Sequence, residues 1–387
     1  MFRKNHTVKI NLPGGIVATG DLYAIVAAAE QARVGEMQLG ARQQLYCKAV
    51  DRYGPDLLQS LGAAGVFFET GKETFPNVVS SYVTEGVFGK SAWVSEGLYK
   101  DILEGFDHRP AVKINLVDGG QSFVPFFTGH LNFVSSSMTH HWHLFLRRPG
   151  TNEVFRWRTA VYSADIARVS KLLEEEMGSP GFVKARPAEA GETWGDRLYH
   201  RVSIERSFPR GPAAPEWRLP PFRLPYYEGF NRYGDKYWLG IYRREEMFPV
   251  AFLKDLCLLC RETKIGQLYS TPWKSLLIKG IEEDDLPLWE FVLGKYRMSV
   301  RHAANELNWQ VEDLSPDGLR LKRYLVRQLD QDDIRTEGLS FAVKLQRGSG
   351  LPGSIVIRKQ AEIRPGQWKA LDRYELWHTV NFDPHSR

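Results

Sequence analysis

The chain says one thing twice. Residues 34–50 read VGEMQLGARQQLYCKAV and residues 265–281 read IGQLYSTPWKSLLIKGI, and the two align without a gap at an offset of 231. Gly35 falls on Gly266, Met37 on Leu268, Leu45 on Leu276 and Lys48 on Lys279. Upstream, Val8-Lys9-Ile10 meets Leu239-Gly240-Ile241. Downstream, Leu57-Leu58 meets Leu288-Trp289 and Asn77 meets Asn308. Identities are few, but the apolar pattern stays in phase from about His6 to Val79. Such a repeat restricts the chain to folds containing two copies of one unit.

Each copy has a readable order. Thr7–Leu12 alternates as a strand, Pro13-Gly14-Gly15 breaks it, and Asp21 opens a helix through Ala32. Met37–Val50 reads as two strands or as one strand kinked at Gly40. Pro55 starts a second helix, and Val66-Phe67-Phe68 is a further strand. The unit is β-α-β-α-β, and Tyr237–Val300 repeats it, which predicts an α+β fold with helices on one face of a small antiparallel sheet.

Between the copies the pattern predicts helices at Tyr99–Phe106 and Ser163–Met177. It predicts strands at Ala111–Val117, Phe123–Phe126, Leu131–Val134, His141–Arg147 and Val154–Thr159. Ser207–Tyr227 is rich in proline and reads as an extended linker. After the second copy come a helix at Leu319–Leu329 and strands at Leu339–Leu345, Ser354–Arg358 and Tyr374–Val380.

Composition narrows the class. At 387 residues one core is too few. The net charge of +5 is spread without a Lys/Arg run, so a nucleic-acid arm is not expected. Three cysteines do not make a disulfide framework and fit a reducing compartment. No apolar run suits a leader or a membrane span, so a cytoplasmic protein without membrane contact is expected.

Leu12-Pro13-Gly14-Gly15-Ile16-Val17, then Arg42-Gln43, then Pro76-Asn77-Val78-Val79, resembles the first half of sirohaem-dependent sulfite and nitrite reductases. Thr271-Pro272-Trp273-Lys274-Ser275-Leu276 resembles the matching segment of their second half. The resemblance implies duplicated ferredoxin-like half-domains about a pseudo-twofold axis, each followed by an α/β lobe. It divides the chain into half-domain 1 over 1–80, lobe 1 over 81–206, a Pro-rich linker over 207–236, half-domain 2 over 237–310 and lobe 2 over 311–387. The chain also looks like a bacterial group in which this body is often followed by a rubredoxin domain. A rubredoxin-type redox protein is therefore the partner the resemblance implies.

The departures matter more. The family holds a four-iron cluster on four cysteines in its second lobe, and after Cys260 this chain has none. Four basic residues of the family neutralise the substrate anion, and at their positions stand Asn11, Pro76, Ala111 and Lys113. A working sulfite or nitrite reductase, or any iron–sulfur cluster, is not expected. Arg42 and Gln43 remain, and in the family they face the macrocycle carboxylates. The offset places Lys274 on Gln43, so a basic cleft lined by Arg42, Lys274 and Lys113, with Gln43 and Asn77, is the expected cofactor site. Sirohaem or another carboxylated tetrapyrrole is the ligand it would take.

Two other clusters read as structure. The offset maps Cys257 and Cys260 onto Val26 and Ala29, on the apolar face of the first copy's helix, so they are expected to be core thiols rather than a metal or redox pair. His141 and His143 share one strand face but lack a third ligand in sequence, and half-buried strand histidines are expected. Three readings follow: a non-catalytic redox-accessory protein working with a rubredoxin-type partner in sulfite or nitrite assimilation, a tetrapyrrole carrier or sensor, and a structural docking partner of a reductase.

Overall fold

Two compact units divide the chain: Met1–Leu12, Ile16–Glu73 and Phe222–Ser386 form one, and Pro13–Gly15 with Thr74–Pro221 form the other. The computed structural model describes residues 5–71, 73–89, 93–179, 192–205, 208–209, 211–346, 350–360 and 372–385. Both repeats and the last sheet lie in the first unit, and the intervening residues form the second.

In the first copy, β1 (Asn5–Ile10) and β2 (Ile16–Ala18) precede α1 (Thr19–Gln31). Strands β3 (Glu36–Leu39) and β4 (Leu45–Val50), helix α2 (Gly54–Ala63) and β5 (Phe68–Thr70) complete it. The second unit runs β6 (Val79–Ser80), α3 (Glu96–Glu104), β7 (Ile114–Val117), β8 (Leu131–Ser135), β9 (His141–Arg147), β10 (Val154–Arg156), β11 (Val161–Tyr162), α4 (Ile166–Gly178) and α5 (Trp194–Glu205). The second copy holds β12 (Gly229–Tyr233), β13 (Lys236–Ile241), β14 (Met247–Pro249), α6 (Val250–Glu262), β15 (Gln267–Ser270), β16 (Leu276–Ile281) and α7 (Leu286–Lys295). A short α8 (Ala304–Leu307), β17 (Trp309–Val311), α9 (Pro316–Gln331), β18 (Phe341–Lys344), β19 (Ile355–Lys359) and β20 (Tyr374–His378) end the chain.

The offset survives to the residue. α1 and α6, β3 and β15, and β4 and β16 have bounds 231 apart. The copies also exchange strands. β2 of the first copy pairs with β15 of the second through Leu268–Val17, and β14 of the second pairs with β3 of the first through Phe248–Met37. The sheets are β14-β3-β4-β1-β5 and β12-β13-β16-β15-β2. Backbone hydrogen bonds repeat across the exchange: Thr19 N–H to Gly266 O and Val250 N–H to Gly35 O, both 2.9 Å. Helices α1 and α6 pack on each other, and one continuous apolar core includes Val26, Ala29, Met37, Leu253, Leu256 and Leu268. Each copy's sheet lacks an edge strand without the other, so the duplication is one cooperative body.

The gapless alignment is corrected at one residue. β13 pairs with β16 in the register of β1 and β4 until Gly280, where the ladder slips and Tyr237 faces Ile281. Gly280 has φ +88°, a conformation glycine adopts without the penalty a Cβ brings, and this β-bulge inserts one residue. Beyond it the offset is 232, so Pro55 matches Pro287, and buried Leu57 and Leu61 match buried Trp289 and Leu293. The pairing of Leu57 with Leu288 gives way for a physical reason: Leu288 is 41% exposed, while Trp289 points into the core.

In the second unit β6, β7 and β8 run parallel and β9 and β10 antiparallel, with β11 on β9. The expected strand at Phe123–Phe126 is not one. Phe123, Val124 and Phe126 are fully buried, but Gln121 clamps Val124, accepting its N–H at 2.7 Å and donating to its carbonyl at 3.1 Å. With those groups satisfied, no ladder is needed. Within the proline-rich stretch Ala213 bridges to Thr159: Ala160 N–H donates to Pro212 O and Ala214 N–H to Arg158 O. Ser207 and Arg210 lie outside the described residues. No helix among the described residues is long and apolar enough to cross a membrane.

In the last sheet β17, β18 and β19 are parallel and β20 antiparallel. Helix α9 packs on it through Leu319 and Val326, starting at Pro316 behind Ser315, whose hydroxyl accepts from Gly318 N–H.

Candidate functional site

Both copies turn from β3 to β4, or β15 to β16, through the same five-residue hairpin. Gly40 N–H donates to Gln44 O and Gln43 N–H to Gly40 O; Thr271 N–H donates to Ser275 O and Lys274 N–H to Thr271 O. The fourth residue must be left-handed, a place that favours glycine or asparagine, yet it is Gln43 at φ 62° and Lys274 at φ 55°. A non-glycine residue there costs on the order of 1–3 kcal/mol and persists only where its surroundings fix it.

The surroundings do fix them. Gln43 is fully buried and its amide donates to Ser270 O of the other copy at 3.0 Å. Lys274 is 1% exposed, and its ammonium donates to Glu246 Oε2 at 2.7 Å and Val311 O at 2.6 Å, with Asp313 Oδ1 at 3.2 Å. An ammonium has three donors, and these partners take all three. Burial pulls the Lys274 pKa down, but Glu246 and Asp313 more than offset it, and it stays raised and charged.

The carboxylates join the copies and the last lobe into one network. Gln38 donates to Glu246 Oε2 at 3.1 Å and accepts from Leu314 N–H at 3.0 Å. Asp313 accepts from Ala41 N–H at 3.0 Å and Gln44 Nε2 at 3.1 Å. Gln44 Nε2 also donates to the Tyr46 hydroxyl, which donates to Glu73, and Glu73 and Glu69 flank buried Lys9. Burial first, then Asp313 and Glu73, raises the Tyr46 pKa and keeps the phenol neutral.

A third buried lysine sits nearby. Lys322 donates to the Tyr242 hydroxyl, and its ammonium lies 4.9 Å from that ring's centroid. Burial lowers its pKa to about 8, against the opposing pull of Glu246 and Glu306. Arg244 forks onto Glu306, and His302 Nδ1 meets Glu228 at 2.7 Å. Sequence reasoning missed Glu246, Asp313 and Lys322. Only the repeat could have flagged Glu246, since it precedes the swapped strand β14.

Of the residues expected to line a basic cleft, Lys274 is a core cation whose ammonium is held by Glu246, Asp313 and Val311 O. Arg42 sits half-buried in its turn. Asn77, 2% exposed, and half-buried Lys113 belong to the other compact unit.

The cysteines lie where the repeat put them. Cys257 and Cys260 are 2% and 0% exposed, level with Val26 and Ala29, and burial pushes the Cys257 thiol up to about 12 and raises Cys260 further. Cys47, also buried, is likewise pushed up to about 12. A four-iron cluster takes four thiolates, one more than the three cysteines of this sequence. His143 is 1% exposed, beside Phe145 and Trp217, with its pKa lowered to about 4 by burial and then by Arg156. His141 Nδ1 meets Thr139 O instead. No set of three or more His, Cys, Asp or Glu suited to a metal occurs among the described residues.

Two cavities open on the first unit. One of about 420 Å3 lies over β3 and β4 at the start of α9, and one of about 450 Å3 lies beside α1 and α6.

Two exchanged β-α-β-α-β copies carrying a further sheet make up the duplicated α+β architecture expected from the sequence. Among solved structures the chain is similar to the Mycobacterium tuberculosis NirA protein, with a TM-score of 0.75 and 14% identity. The match covers 96% of this chain and 74% of that one, and at this identity it shows the fold alone. No protein-family model matches the sequence. No curated protein matches it either.

Proposed function

We propose that the chain is a non-reducing, redox-accessory protein built on the sulfite/nitrite reductase fold, which serves a rubredoxin-type electron-transfer partner. One observation carries this reading. Lys274, the cation opposite Gln43 in the duplication, is occupied by Glu246, Asp313 and Val311 O inside the core. Gln43 likewise spends its amide on Ser270 O. What the family presents to a macrocycle is here a structural lock between the copies and the last lobe. Three buried, protonated thiols and no cysteine after Cys260 support the absence of an electron relay. The partner rests on the sequence resemblance, and the net charge of +5 would favour an acidic one.

Titrating the full chain with sirohaem at micromolar levels tests the reading, together with viologen-linked sulfite and nitrite reduction. The expected result is no saturable change in the tetrapyrrole spectrum and no turnover above background. A stoichiometric spectral shift that Arg42→Ala weakens would establish the carrier reading instead. Turnover would overturn the proposal outright.

A further inference from the structure

We propose that the 420 Å3 cavity of the first unit is a binding site for a small organic oxyanion, a compact apolar body bearing one phosphate or carboxylate group. Gln38, Tyr46 and Leu314 of its lining also belong to the Lys274 network, but Lys274 itself does not line it, and the proposal does not depend on the function proposed above. Its volume falls in the usual range for small-molecule sites, about 300–1,000 Å3.

The lining has two parts. The floor is neutral: Tyr46 and Cys47 from β4, Met247 from β14, and Leu314 and Leu319 at the start of α9. The rim is cationic: Lys48, Arg243, Arg320 and Arg323 outnumber Glu36 and Glu245 by two charges. The cations come from three separate stretches of chain and converge on one opening.

They are also available. Arg323 pairs with Glu245 at 2.9 Å, with both side chains more than 40% exposed, and Arg320 pairs with Asp317 three residues away on open surface. Exposed pairs of this kind contribute little, so an incoming anion can displace them. Arg243 directs Nη1 at Met298 Sδ, a weak acceptor, and has no carboxylate partner among the described residues. A guanidinium in that position suits an oxyanion bidentately.

The duplication supplies an internal comparison. At the equivalent place in the second copy, Tyr269 stands where the first has Gln38, and its ring lies 4.4 Å from the ammonium of Lys279, the counterpart of Lys48. Gln267 fixes that ring by donating to its hydroxyl at 2.7 Å. In the first copy Gln38 is drawn instead to Glu246 and to Leu314 N–H, and no ring stands over Lys48 among the described residues. An amide tied into the lock thus stands beside the cavity where the second copy has an aromatic ring.

Calorimetric titration of the full chain with phenyl phosphate, benzoate and inorganic phosphate at low salt tests the site. Saturable binding of phenyl phosphate or benzoate is expected below about 1 mM, with inorganic phosphate weaker. The preferred arm identifies the headgroup. Arg243→Gln, at a half-buried position, should weaken binding about tenfold or more. Gln38→Tyr, which rebuilds the second copy's ring, should abolish it; if that variant fails to fold, Arg243→Gln still decides. Unchanged affinity in Arg243→Gln overturns the proposal. So does inorganic phosphate binding as tightly as phenyl phosphate, or no saturable heat for any probe.

Discussion

Replacing Lys274 by Met should destabilise the first unit by about 3–5 kcal/mol, the usual loss when one partner of a buried ion pair is removed. The figure follows from what remains. Glu246, 2% exposed, loses the ammonium 2.7 Å away, while Val311 O loses its 2.6 Å donor. Methionine nearly matches the volume of the lysine stem, so the packing change should stay below about 1.5 kcal/mol and the stranded carboxylate dominates. At roughly 2–4 °C per kcal/mol for a unit of this size, the melting temperature should fall by about 6–20 °C. Urea unfolding followed by far-UV circular dichroism measures the loss directly. Adding Glu246→Gln to Lys274→Met should recover a large part of it, because the buried charge goes with its partner. If the single variant costs less than about 1 kcal/mol, or if the two losses simply add, the central cluster is not the lock described above.

Two further outcomes are expected. Lys322, 2% exposed and with its pKa lowered to about 8, binds its proton less readily folded than unfolded, where the value is about 10.4. Stability should therefore rise with pH between about 8 and 9.5, approaching 1.4 kcal/mol per unit from this group. Lys322→Met should flatten the rise, and an identical slope in the variant would contradict it. Above pH 10 the raised pKa of Tyr242 acts in the opposite direction, so the comparison belongs below that. The three cysteines, all buried and protonated, should give no rapid reaction with a thiol reagent at pH 8 and full reaction after denaturation. Fast native labelling of Cys257 and Cys260 would show that their place on the inner face of α6 is wrong.

The sequence alone determined whatever depends on local period. Alternation marked β1, the 231-residue offset gave α1 and α6 matching bounds, and the same offset put Cys257 and Cys260 in the core. Those signals survive because each residue's face is set by its own element's geometry. Tertiary structure decided what depends on partners far along the chain. Phe123–Phe126 has a strand's composition, but Gln121 satisfies its backbone first. Leu57 pairs with Trp289 because the Gly280 bulge adds one residue, which sparse identities hide. Lys274 reads in sequence as a cation for a ligand. Whether it faces solvent or the core was fixed by Glu246, delivered beside the exchanged strand β14, and by Asp313, delivered by the last lobe. A lysine can be buried only where opposing charge meets it, and no local pattern says where that charge will come from.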